Sequence, residues 1–106
     1  MFILHVSPEA EEQLSEYYSW YEKQRTGLGS EFLFSVEDAI KFLQKNPLAF
    51  RKRIKNYRIS LTERFPFGIF YLVNEKKKII LVAAVYHLRI NPKTIRRKLL
   101  GPKKRR

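Results

Sequence analysis

Apolar and polar positions change their period several times along this 106-residue chain. Phe2, Leu4 and Val6 alternate with Ile3 and His5, the period-two pattern of a short strand. Ser7-Pro8 then sets a capping hydroxyl before a proline suited to a first helical turn. Glu9, Glu11 and Glu12 follow where a helix dipole favours negative charge. Ala10, Leu14, Tyr17, Tyr18 and Tyr21 recur at helical spacing with Trp20 beside them, which predicts a helix to about Arg25. Thr26-Gly27 ends it. Phe32, Leu33, Val36, Ile40 and Leu43 form a second helical stripe that stops at Asn46-Pro47, so the two helices are expected to form an antiparallel hairpin.

The period returns to two beyond that point. Residues 47–56, "PLAFRKRIKN", read as a basic loop, and Tyr57 to Thr62 as a partly exposed strand. Ile59 and Leu61 fall on one of its faces and Arg58, Ser60 and Thr62 on the other. "FGIFYLV" (67–73) and "IILVAAVY" (79–86) are apolar enough for buried strands, joined by the charged turn "NEKKK". Lys93 to Leu100 suits a short helix before Gly101-Pro102. The order β-α-α-β-β-β predicts an α+β fold with the helical hairpin packed on one face of a small, largely antiparallel sheet. The other face is expected to stay open and to present Arg58 and polar neighbours to a ligand. One domain is expected over residues 1–100, with a basic flexible tail at 101–106.

Charge changes this picture more than composition does. The net charge is +12, but residues 1–38 hold eight acids against two bases, while residues 39–106 hold twenty bases against two acids. The second balance, +18, favours nucleic acid, an acidic protein segment or an anionic surface as partner. There is no cysteine, which excludes disulfides and thiolate chemistry and fits a reducing cytoplasm. Two widely separated histidines without clustered carboxylates argue against a metal, and nothing implies a cofactor. The longest apolar run is Ile79 to Tyr86, too short to span a membrane, so a soluble chain is expected.

Two constellations carry possible chemistry. The first is basic: Arg51, Arg53, Arg58 and Arg64, then Arg89, Arg96, Arg97 and Lys98, which would line one anion-binding groove if the strands bring them together. Tyr57, Tyr71 and Tyr86 would then be available for stacking. A merely solvated face is the plainer alternative. The second is His87 with Arg89 two residues on. A histidine of ordinary pKa, about 6.5, can act as a general base, and a nearby guanidinium can stabilise developing phosphate charge. The plainer alternative is a histidine that ends a strand by hydrogen bonding to backbone. "GLG" (27–29) follows a helix rather than a strand, so it reads as a turn and not as a phosphate loop.

"WYEKQRTGLGSEFL" (20–33), "NP" (46–47), "FPFGIFYLV" (65–73) and "VYHLRINPKTIRRKL" (85–99), in this order, resemble the RelE/ParE superfamily of toxins from bacterial type II toxin-antitoxin modules. The resemblance implies a cytoplasmic toxin neutralised by a cognate antitoxin with an acidic segment. ParE-like members inhibit DNA gyrase, whereas RelE-like members are ribosome-dependent endoribonucleases that cut mRNA. RelE-like chains commonly carry an arginine after the first aromatic of the third strand, where Gly68 follows Phe67 here. Another arginine near the end of the last strand corresponds to Leu88 or, one residue on, Arg89. The resemblance is therefore closer to ParE-like chains, with gyrase as target. The nuclease alternative would use His87, Arg89, Arg58 and Tyr71 on mRNA at the ribosome, and a further alternative is a non-toxic binding module that keeps the fold.

Overall fold

The computed structural model describes residues 1–101. Its elements are β1 (Ile3–Val6), α1 (Pro8–Gln24), α2 (Leu28–Lys45), β2 (Lys52–Ile54), β3 (Tyr57–Leu61), β4 (Phe67–Asn74), β5 (Ile79–His87) and α3 (Pro92–Leu100). Five strands form one sheet in the order β1-β5-β4-β3-β2. Every pairing is antiparallel except that of β1 with β5, where Ile3 lies opposite Ile79 and Val6 opposite Val82. The expected α+β arrangement, a helical hairpin against one face of the sheet, is what the chain adopts. The basic loop contains one element more than its sequence suggests. Lys52–Ile54 turns through Lys55, at a φ of 49°, to pair with β3. Three residues with two exposed cations carry too little alternation to announce a strand.

Ser7 fixes how α1 leaves the sheet. Its Oγ accepts from the Ala10 N–H at 3.0 Å, capping the helix, and donates to the Ala83 carbonyl at 2.8 Å. Ala83 is the extra residue of a bulge: Tyr71 faces Val82, but Phe70 faces Ala84. The bulge shifts the phase of β5, so Ile80, Val82 and Val85 face the helical hairpin while Ala84 and Tyr86 face away. β1 pairs with β5 only as far as Val82. Past that point α1 supplies the missing partners. The Gln13 Oε1 accepts from the Val85 N–H at 2.8 Å, and the Tyr17 hydroxyl donates to the Val85 carbonyl at 3.0 Å.

The core on the hairpin side joins Ala10, Phe32, Val36 and Leu43 to Phe67, Ile69, Tyr71, Ile80, Val82 and Val85. A second core fills part of the other face, where Ile95 of α3 packs with Phe70, Ala84 and Tyr86 and gathers Ile54, Tyr57, Ile59, Ile90 and Leu99 around it. This corrects the expectation of a wholly open second face. Ile95 and Leu99 stand one helical turn apart, enough to lay α3 across the sheet. Arg58 is not on that face, because it lies opposite Tyr71 and therefore on the hairpin side. The polar-out reading of β3 is also reversed at its end, with Ser60 2% and Leu61 60% exposed. The basic tail expected at 101–106 begins with Gly101, the C-cap of α3, and its other residues lie outside the described residues. Among the described residues no helix is long and apolar enough to cross a membrane, and no group of three or more His, Cys, Asp or Glu is placed to hold a metal.

Candidate functional site

β5 ends at His87, and the chain turns at once. The Ile90 N–H donates to the His87 carbonyl at 3.0 Å, and the Leu88 N–H to the Pro66 carbonyl at 2.8 Å. The His87 ring sits edge-on to Phe67, centroids 5.0 Å apart, and its Nδ1 accepts from the Arg89 N–H at 3.0 Å. That hydrogen bond occupies the Nδ1 lone pair, the one a base on this side of the ring would use. His87 closes a turn, the plainer of its two sequence readings. Arg89 is exposed beside it.

The other side chains of the nuclease alternative are drawn inward. Tyr71 is fully buried, and its hydroxyl donates to the Pro47 carbonyl at 3.1 Å. Burial pushes that hydroxyl up, with the Arg58 charge opposing the rise. The Arg58 Nη1 donates to the Phe50 carbonyl, so the guanidinium ties the β2 loop to the sheet, while its Nε is buried without a partner. Nor do the tyrosines form a stacking platform. Tyr86 is 2% exposed, and its hydroxyl makes no hydrogen bond. Burial raises its pKa, with the Glu9 carboxylate adding to the rise. The Tyr57 hydroxyl donates to the Leu99 carbonyl at 3.3 Å, tying β3 to α3.

The basic residues divide into three places rather than one groove. Arg64 stands at a φ of 73°, donates to the Glu31 Oε1 at 2.8 Å and lies 5.2 Å from the Phe65 ring centre. Arg25 reaches the same carboxylate at 3.4 Å. Hydrogen bonds from Arg64 and then Arg25 hold the Glu31 carboxyl below its ordinary value. Arg64 therefore locks the β3-β4 loop to the helical hairpin. Arg51 and Arg53 flank or occupy β2 at the sheet edge, both exposed.

The third place is α3 and its approach. Asn91 caps the helix, accepting from the Lys93 N–H at 2.8 Å, and Pro92 follows at the first helical position. With Ile95 buried, Lys93, Arg96, Arg97 and Lys98 are left exposed. Arg97 and Lys98 suit the negative end of the helix, but the first turn contains no acid and carries Lys93, against the dipole. Lys93 and Arg97 are also like charges four residues apart, a pairing that weakens an isolated helix. Among the described residues the ion pairs are those of Glu31 with Arg25 and Arg64, so none of the α3 cations has an acidic partner. Folding does not require this arrangement of charge, and an external anion would complement it.

A further convergence has only a faint signal in the sequence. Lys52, read as part of a loop, joins Arg58 on the hairpin side of the sheet, and both line a groove at the sheet end with Lys76 and Lys77, read as a turn, and with Leu72, Ile79 and Leu81 of the opposite face. The available signal was the outward phase of β4 and β5, apolar at positions a free face would have made polar.

The chain matches the family model described as ParE toxin of the type II toxin-antitoxin system, parDE, over residues 4–92. Its fold is similar to that of a chain in a solved structure described as the chromosomal ParDE TA system from P. aeruginosa. The TM-score is 0.73 and the identity 22%, over 84% of this chain and 98% of that one. No curated protein matches it.

Proposed function

The chain belongs to the ParE toxin family of type II toxin-antitoxin systems, and from that premise we propose that it is a cytoplasmic growth inhibitor that poisons DNA gyrase without cutting RNA. In this proposal a cognate antitoxin neutralises it through an acidic segment. The observation that carries the non-nucleolytic reading is the commitment of the nuclease side chains to structure: Tyr71 to Pro47, Arg58 to Phe50, and His87 Nδ1 to the Arg89 amide. A nuclease of this design needs a base whose lone pair is free for the substrate, and the Nδ1 lone pair of His87 is taken by the Arg89 amide. What remains exposed is charge. Arg89 with Arg96, Arg97 and Lys98 forms the surface that meets the target, and Arg51 and Arg53 add to the cationic field at the sheet edge.

Controlled expression in a bacterial host, with growth, chromosomal breaks and mRNA integrity followed together, tests this. Growth arrest with DNA breaks and intact mRNA is expected, and Arg89→Ala with Arg96→Ala should relieve the arrest. Cut mRNA without DNA damage would establish the RelE-like alternative, and unimpaired growth would establish a binding module that has lost toxicity.

A further inference from the structure

The outward face of α3 offers one kind of chemistry. Ile95 and Leu99 turn toward the sheet, where Ile95 packs with Phe70, Ala84 and Tyr86. At about 100° per residue, Lys93, Arg96 and Arg97 fall together on an arc turned away from those two, and all three are exposed. Lys93 and Arg97 stand about 6 Å apart along the axis. Arg89, exposed in the turn that leads into the helix, precedes the row. The spacing is fixed at both ends of the helix. Asn91 caps its start, and the Tyr57 hydroxyl donates to the Leu99 carbonyl near its end, at 3.3 Å. Among the described residues none of these four cations is ion-paired to an acid.

That composition separates the candidate partners. A protein interface is built around an apolar centre. Here the exposed apolar side chains are Leu88 before the row and Leu100 at its end, with the cations between them. Single-stranded nucleic acid is held on exposed aromatic rings. Residues 88–100 contain none, and Tyr86 beneath Ile95 is 2% exposed. A duplex backbone needs neither feature, because Lys and Arg alone meet its phosphates. α3 also lacks Asn, Gln, Asp and Glu with which to read adenine or cytosine edges. We propose that Arg89, Lys93, Arg96 and Arg97 bind the phosphate backbone of duplex DNA, without regard to base sequence. The inference rests on the toxin reading above, in which the target enzyme holds duplex DNA. It names what these cations touch there: the DNA itself rather than the surface of the enzyme.

The probe is a DNA duplex of about 20 base pairs and mixed sequence. Its binding to the full chain, without gyrase, is followed by fluorescence anisotropy from about 50 to about 200 mM salt. Each phosphate neutralised contributes about 0.9 to the slope of log K against log salt. K93A/R96A/R97A should therefore lower that slope by about 2.7 and weaken binding about tenfold or more at the lower salt. Arg89→Ala alone should lower the slope by about 0.9. The charge-matched K52A/K76A/K77A, away from α3, should change it by less than Arg89→Ala does. Residues 102–106 are common to every variant and do not enter the ranking. One strand of the duplex alone, or a glutamate peptide of equal charge, should bind more weakly than the duplex. Absence of binding at the lower salt, equal loss in the two triple variants, or tighter binding of the single strand or the peptide would overturn the assignment, with circular dichroism confirming that each variant is folded. Gyrase is absent from this readout, so failure of the toxin reading shows in the growth assay and failure of the DNA contact in the salt slopes.

Discussion

Gly29 shows how one side chain can matter by being absent. It lies in the first turn of α2, where alanine would ordinarily be at least as good a helix former, by up to about 1 kcal/mol. A Cβ there would come within 2.7 Å of both the Tyr18 carbonyl oxygen and its ring, which is how closely α1 and α2 approach. Gly29→Ala should therefore destabilise by about 1–3 kcal/mol despite the helical gain, lowering the melting temperature by several degrees in a calorimetric scan. The Glu22 carboxylate secures the same turn, accepting from the Gly27 and Gly29 N–H groups at 2.9 and 3.0 Å.

Glu31 gives a pH signature. Its carboxyl is held below the ordinary range by Arg64 and Arg25, so its contribution is fully present above the unfolded-state value and is lost as pH falls through the folded one. The drop in urea midpoint between neutral pH and about pH 3 should be smaller in Glu31→Gln than in the parent chain. Such partners are hard to read from sequence because they join distant positions. Arg64 looked like another member of a basic groove, and only the loop geometry brings it to Glu31, 33 residues away. His87 was open between base and turn-former until the Arg89 amide was placed on its Nδ1.

The helices and buried strands were legible because their periods are long and unbroken. The α1 stripe from Ala10 to Tyr21 and the α2 stripe from Phe32 to Leu43 both supply the hairpin-side core. What alternation could not show was the bulge at Ala83, which moves every later residue of β5 to the opposite face. The tie from Ser7 to that bulge predicts that Ser7→Ala removes a helix cap and a strand partner together. A loss of about 1–2 kcal/mol is expected in equilibrium unfolding. The role of α3 was also hidden, since a strongly cationic nine-residue segment reads as surface until Ile95 and Leu99 are set on Phe70 and Tyr86. A helix this short does not persist alone, below about 12–15 residues. Ile95→Ala should cost about 2 kcal/mol or more and should release amide protection in residues 92–100 while β4 and β5 stay protected in hydrogen exchange. Toxicity should fall with it, because the cations of α3 lose their fixed spacing.

At the scale of the molecule, the acids of α1 and the bases of the second half do not neutralise one another. Glu9, Glu11, Glu12 and Glu16 are exposed on α1, while Lys93, Arg96, Arg97 and Lys98 are exposed on α3. The described ion pairs lie at the hairpin turn and serve the fold. The charge on α3 has no acidic partner among the described residues, and the concentration of bases in residues 39–106 is visible in the sequence alone. The division of that charge among the hairpin loop, the sheet edge and α3 shows only in the assembled fold.

The central claim, a gyrase poison that does not cut RNA, is tested most directly with purified components. The chain is added to gyrase and supercoiled plasmid, and in parallel to ribosomes translating a defined mRNA. Linear, gyrase-bound DNA should accumulate while the mRNA stays whole, and K93A/R96A/R97A should reduce the DNA product about tenfold or more. Intact plasmid beside mRNA cut on the ribosome would contradict it.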